Sequence, residues 1–192
     1  HSSSLPYSIK IEASCKDFSL SVLTDKLADR KGLLVMVHLR GVDFESVSLK
    51  KDIVLFFNSL SNIPILKIER SVSCEKTMDV LRKLVKTISI STLDLSGNYI
   101  SEANVEGLIE LIYDHSLKDE LGSICSLSKL DLSNCNINDN TFIKLADVFK
   151  TVELSHINLP YNKLTKRSIL IYEDLIANLA QLKSKEVNVI IK

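Results

Sequence analysis

The sequence runs to 192 residues, 45% of them hydrophobic, with 24 Lys and Arg against 24 Asp and Glu. That length suits one domain, 1–192, with enough core to fold without disulfides. The cancelled charge supplies no overall field to hold nucleic acid or an anionic membrane, and no stretch approaches the roughly 18 uncharged apolar residues of a membrane span.

The opening His1-Ser-Ser-Ser lacks a charged segment followed by an apolar one, so it reads as a remnant or a truncation rather than a secretion signal. Ile9 and Ile11 then form an alternating apolar pair in a segment beginning at Pro6. Leu20, Leu23 and Leu27 follow at helical spacing, with Gly32 placed to end that helix. At Leu34 to Phe44 (LVMVHLRGVDF) alternation returns, with Val37 and Leu39 inward. Leu49, Ile53, Phe56, Phe57 and Leu60 change the period to 3.6, and Ile63, Leu66 and Ile68 change it back to two. The clearest copy is Ile90 to Ile100 (ISTLDLSGNYI), which spells apolar-x-x-Leu-x-Leu-x-x-Asn-x-apolar. The same phrase recurs at Leu127 to Ile137 (LSKLDLSNCNI) and Leu154 to Leu164 (LSHINLPYNKL), and a last strand beginning near Ser184 places Val187 and Val189 inward. Successive phrases start 28, 29, 27, 37, 27 and 30 residues apart. Between the later copies, Val105, Leu108, Ile109 and Ile112, then Phe142, Leu145, Ala146 and Phe149, predict helices. Ser101 with Asn104, Asp139 or Asn140, and Thr165 are the candidate caps.

The phrase is that of the leucine-rich repeat, and a period near 28 with a full helix per turn resembles the ribonuclease-inhibitor-like subclass. The resemblance implies an α/β solenoid, or horseshoe, with about seven parallel strands on the concave face and helices on the convex face. Helices need roughly 10 Å between axes and paired strands about 4.8 Å, so the sheet must take the inner side of the curve. In such repeats the ninth side chain is buried and bonds the backbone of its own and the adjacent turn. Asn98, Cys135 and Asn162 are therefore expected to form a structural ladder. Ser14, Val42 and Ser71 depart from the pattern, which predicts looser turns in the first half.

Inward Leu-x-Leu pairs fix which residues face the open concave surface. The central row reads Lys10, His38, Lys67, Asp94, Asp131, Asn158 and Asn188, and the next reads Glu12, Arg40, Glu69, Ser96, Ser133, Pro160 and Ile190. Lys129 and His156 lie on the same face. His38, Arg40, Lys67, Glu69, Asp94, Ser96, Lys129, Asp131, Ser133, His156 and Asn158 form the candidate contact surface. It is polar, broad and shallow, which suits a protein partner better than a small molecule. Asp94 and Asp131 on adjacent strands invite comparison with the carboxylate pair of a retaining glycosidase, but an open sheet offers no pocket to raise the pKa of one acid. The histidines and cysteines show no zinc spacing, and no catalytic or phosphate-binding motif occurs. The expected protein is not an enzyme and needs no metal or cofactor.

Cys15, Cys74, Cys125 and Cys135 include no C-x-x-C pair, which favours a reducing, cytoplasmic compartment. The longest repeat carries about nine extra residues within 113–126, read either as a rim insertion for contacts or as a longer helix with a polar turn ending at Gly122. The last copy, VNVIIK, leaves Ile190 and Ile191 near a sheet edge, so the protein is expected to continue or to use that edge in association. Composition rich in Lys, Ile, Ser and Asn resembles the repeat proteins that intracellular bacteria, Legionella among them, deliver into host cytoplasm. The leading expectation is a protein-interaction module of this kind. The alternative is a targeting or regulatory domain of a larger enzyme such as a ubiquitin ligase.

Overall fold

The computed structural model describes residues 6–12, 34–44, 47–60, 62–86, 88–116, 127–182 and 188–190, with backbone alone at 47–52, 178–182 and 188. The elements in chain order are β1 Tyr7–Glu12, β2 Leu34–Arg40, α1 Val47–Asn58, β3 Asn62–Glu69, α2 Glu75–Val85 and β4 Ser89–Asp94, then α3 Val105–Ser116, β5 Lys129–Asp131, α4 Asp139–Thr151, β6 His156–Asn158, α5 Lys166–Leu182 and β7 Asn188–Ile190. The helix expected over Leu20, Leu23 and Leu27 and the segment 117–126, with most of the long repeat's extra residues, fall outside the described residues.

Each strand pairs in parallel with the next in the chain, giving one seven-stranded sheet in the order β1 to β7. Parallel neighbours require a crossover, and from β2 to β7 a described helix lies between each strand and the next. Along each strand the side chains alternate between core and solvent. Val37 and Leu39, Leu66 and Ile68, and Leu93 and Leu95 are buried, while His38, Lys67 and Asp94 between them are half-buried on the opposite face. The helices close the other side with Phe56, Met78, Leu81, Leu108, Phe142 and Phe149, all buried. Phe56 and Phe57 meet edge to face at 5.4 Å, and burying each ring contributes about 2 kcal/mol. Gly107 is needed where α3 crowds α2, because a Cβ there would lie 2.8 Å from Met78 Cγ. The molecule is an open leucine-rich repeat solenoid, with its core between a parallel sheet and a layer of helices.

Three local expectations need correction. On β7, Val189 pairs with Ile157, Asn188 with His156 and Ile190 with Asn158, so the strand sits two residues away from the expected register. Asn188 therefore leaves the central row and Ile190 enters it. The cap of α4 is Asn138, whose side chain accepts from Thr141 N at 2.9 Å, because Asn138 is tied to Lys163 by an isolated bridge. Asp139 bonds Thr165 and Ser168 of the next turn instead. On α3, Leu111 is fully buried while Ile109 is only half-buried. The other caps lie where expected: Asn104 Oδ1 accepts from Ser101 N at 2.7 Å, and Thr165 Oγ1 accepts from Arg167 N at 3.3 Å.

Candidate functional site

The concave face is held in shape by the turn that follows each strand. Asn98 Oδ1 accepts from Ser71 N and Val72 N, both at 2.9 Å, and its Nδ2 donates to the carbonyls of Ile68 and Leu95. Asn162 repeats the pattern one pair of turns later, accepting from Cys135 N and Ile137 N and donating to Leu132 and Leu159. Cys135 donates its thiol to Leu95 O at 3.1 Å. Burial pushes that thiol up to about 12, against weaker opposing hydrogen bonds from the backbone of Asn98 and Gly97. Ser71 manages part of the same task, accepting from Val42 N and donating to Glu69 O, whereas Val42 fills its ninth place with a buried apolar side chain. Each of these bonds satisfies a backbone group that the turn would otherwise strand.

Just before the ladder, the eighth residue of every described turn has a positive φ: Gly41 64°, Arg70 52°, Gly97 73°, Asn134 53° and Tyr161 62°. Sequence reasoning missed this row. Gly41, Gly97 and Asn134 carried a readable signal, since Gly and Asn tolerate the left-handed region.

The registers bring Lys10, His38, Lys67, Asp94, Asp131, Asn158 and Ile190 into one row across the sheet. The charges in this row and the next largely close on one another. Glu69 takes His38 Nε2 and Arg40 Nε, each at 3.3 Å, and Arg40 also reaches Glu12 at 3.5 Å. Lys67 Nζ lies 2.7 Å from Asp94 Oδ2 and donates to Ser96 Oγ. Asp131 accepts from Ser133 N, Ser133 Oγ and Asn158 Nδ2. Lys129 and His156 are register partners and exposed. Neither makes an ion pair among the described residues, although His156 Nδ1 lies 2.9 Å from Ser155 Oγ.

Asp94 and Asp131 are register partners, but their oxygens are already engaged. Burial acts to raise the Asp94 carboxyl, yet hydrogen bonds from Lys67 and Ser96 outweigh it and hold it below the ordinary carboxylate range. Asp94 is thus ionised at neutral pH and cannot serve as the protonated acid of a glycosidase pair. No group of three or more His, Cys, Asp and Glu among the described residues could hold a metal ion. No described helix is long and apolar enough to cross a membrane.

Fold and face together define the class: a leucine-rich repeat solenoid with one side of its parallel sheet open. No protein-family model matches the chain. A mouse (Mus musculus) protein named NACHT, LRR and PYD domains-containing protein 4B is 27% identical over 179 residues, covering 82% of this chain and 20% of that protein. The chain spans about a fifth of the length of that relative. The solved structure of Leiomodin-1 Actin-Binding Site 2 is similar with a TM-score of 0.52 and 12% identity, covering 82% of this chain and 88% of that one. At that identity the likeness is one of fold.

Proposed function

We propose that the chain is a protein-interaction module, one solenoid domain over 1–192, that takes a protein partner on its concave sheet face. The observation that carries this reading is the bare side of the sheet. All-parallel sheets are ordinarily covered on both faces, and among the described residues helices cover one while the other presents half-buried and exposed polar side chains. His38, Arg40, Lys67, Glu69, Asp94, Ser96, Lys129, Asp131, Ser133, His156 and Asn158 are the proposed contacts. Apart from Lys129 and His156, their mutual hydrogen bonds hold them in place before a partner arrives, which lowers the ordering cost of binding. The mouse relative, whose name includes an LRR domain, supports the same coarse reading. Catalysis forms no part of the proposal.

Affinity capture from a eukaryotic lysate tests it, comparing the chain with a variant carrying Lys67→Glu, Asp94→Lys and Lys129→Glu. The first two exchanges preserve the ion pair and invert its sense, and they leave the buried apolar residues on the other face of the sheet unchanged. A protein held by the parent and lost by the variant is the expected result. Equal retention, or none, would remove the concave face from consideration.

The length of the mouse relative beyond the matched region favours a second reading, a targeting or regulatory module within a larger protein, of which a ubiquitin ligase is one form. The finer assignments belong to the same proposal. A period near 28 with a helix in each complete described turn supports the ribonuclease-inhibitor-like subclass. Composition, with only 5 Gly, 3 Pro and no Trp, supports delivery into host cytoplasm by an intracellular bacterium. Cys135 is a buried thiol, which fits a reducing compartment.

A further inference from the structure

The left-handed row is occupied by two kinds of residue. Gly41, Gly97 and Asn134 adopt such a φ at little cost, but Arg70 and Tyr161 do not. Strain of this sort persists only where the surrounding structure imposes it. The eighth-place N–H donates to the seventh-place carbonyl of the next turn at Gly41 to Glu69, Gly97 to Ser133 and Asn134 to Pro160, the three places that carry Gly or Asn. Residues held in this region at a cost cluster at ligand clamps, which directs attention to Arg70 and Tyr161. Asn at either strained position would relieve the backbone without altering the core. Burial does not compensate the two residues, since the Arg70 side chain is 67% exposed and Tyr161 is 81% exposed. Tyr99, two residues beyond Gly97, is 49% exposed on the same rim. The nearest acid to Arg70 is Glu69 at 3.8 Å, and Glu69 is already shared by His38 and Arg40. Arg70 therefore keeps a cation only partly compensated, and Tyr99 and Tyr161 lie at the tenth and eighth places of later turns with exposed rings.

We propose that Arg70, Tyr99 and Tyr161 form a recognition edge along the rim where the strands leave the concave face. Its occupant is an extended polypeptide segment that presents a carboxylate to Arg70 and apolar side chains to the two tyrosine rings. This inference rests on the protein-binding reading above and moves its energetic centre from the strands to the rim. Arg and Tyr are the side chains that most often dominate interface free energy, and a tyrosine ring offers large contact area with few rotors to freeze. The turns of Arg70 and Tyr161 are three strand spacings apart, about 14 Å, which four or five extended residues would span.

Because strain and recognition are assigned to the same residues, one substitution should move stability and binding in opposite directions. Random dodecapeptides displayed on phage would be selected on the parent chain. The enriched peptides would then be titrated against the parent, the double variant Arg70→Asn with Tyr161→Asn, and the double variant Lys67→Glu with Asp94→Lys. The expected result is enrichment of segments mixing acidic and apolar residues. The rim variant should bind them at least about tenfold more weakly while its melting temperature rises by about 2–4 °C. Peptides held equally by parent and rim variant but lost by the strand variant would overturn the rim and leave the concave reading standing. A fall in melting temperature on Arg70→Asn with Tyr161→Asn would overturn the strain argument. Failure to enrich any peptide would overturn the linear-segment proposal, with the lysate capture deciding the concave reading separately.

Discussion

The first three turns and the next three end their strands differently. β1, β2 and β3 run to the seventh place of the phrase, at Glu12, Arg40 and Glu69, whereas β4, β5 and β6 stop at the fifth, at Asp94, Asp131 and Asn158. The fifth place explains much of the difference. Asp94 accepts from Ser96 N at 2.9 Å and Asp131 from Ser133 N at 2.8 Å, so each carboxylate folds its own backbone out of the sheet two residues on. Lys10, His38 and Lys67 at the same place in the earlier turns do not make that bond. The ninth place completes the contrast, with Asn98, Cys135 and Asn162 closing the short-stranded turns and Val42 and Ser71 following the long ones. The core is shared by both halves, and only the polar residues at the ends of the strands decide how tightly each turn closes. The same contrast sorts the surface, since the longer strands carry the ion-paired chain Glu12, Arg40, Glu69 and His38.

The largest expected effect is at Asn98, which holds four backbone groups from within a buried site. Asn98→Ala should cost about 3 kcal/mol or more in urea unfolding, because several buried groups lose their partner together. Ser71→Ala, at the equivalent place one turn earlier, should cost only about 1 kcal/mol. Equal losses would break the contrast between the two kinds of turn.

Next comes Cys135, the thiol rung of the ladder. Its pKa rises from 9.0 to about 12 on folding, so the folded state resists ionisation while the unfolded chain does not. Stability should therefore fall as pH climbs from 9 toward 12, and Cys135→Ala should flatten that dependence while lowering neutral-pH stability by about 2 kcal/mol. Native alkylation at pH 8 should spare Cys135, a point checked by mass spectrometry. Asp94 should give the smallest effect. Its folded pKa lies below the ordinary carboxylate value of 3.8, so its contribution is present above that value and disappears as pH falls through the lowered one. The pair with Lys67 is partly exposed, and Asp94→Asn should change stability by less than about 1 kcal/mol.

Much of this architecture was legible because apolar residues alternate in the strands and recur at helical spacing between them, as at Leu93 and Leu95 or Phe142, Leu145 and Phe149. Hydrophobic alternation has a period of two, so it leaves a two-residue shift undetermined. Val187, Val189 and Ile191 are equivalent in that pattern, and the register of β7 was lost for that reason. At α4, Asn138, Asp139 and Asn140 are all competent caps, and the choice falls to a bridge from Lys163 that local sequence does not reveal. The concave rows could be located from the Leu-x-Leu pairs. That their charges would satisfy each other depends on side-chain reach between strands 27 to 31 residues apart in sequence. Arg70 and Tyr161 carry no sign of a left-handed backbone, because neither residue type favours that region.

The ladder has a direction. Ser71 reaches back to the turn of Val42, Asn98 to that of Ser71, Cys135 to that of Leu95 and Asn162 to that of Cys135. Each turn is fastened by the one that follows it in the chain and fastens the one before. For a polypeptide leaving the ribosome amino end first, the newest turn is always unlatched, and its backbone is secured only when the next strand emerges to supply the missing side chain.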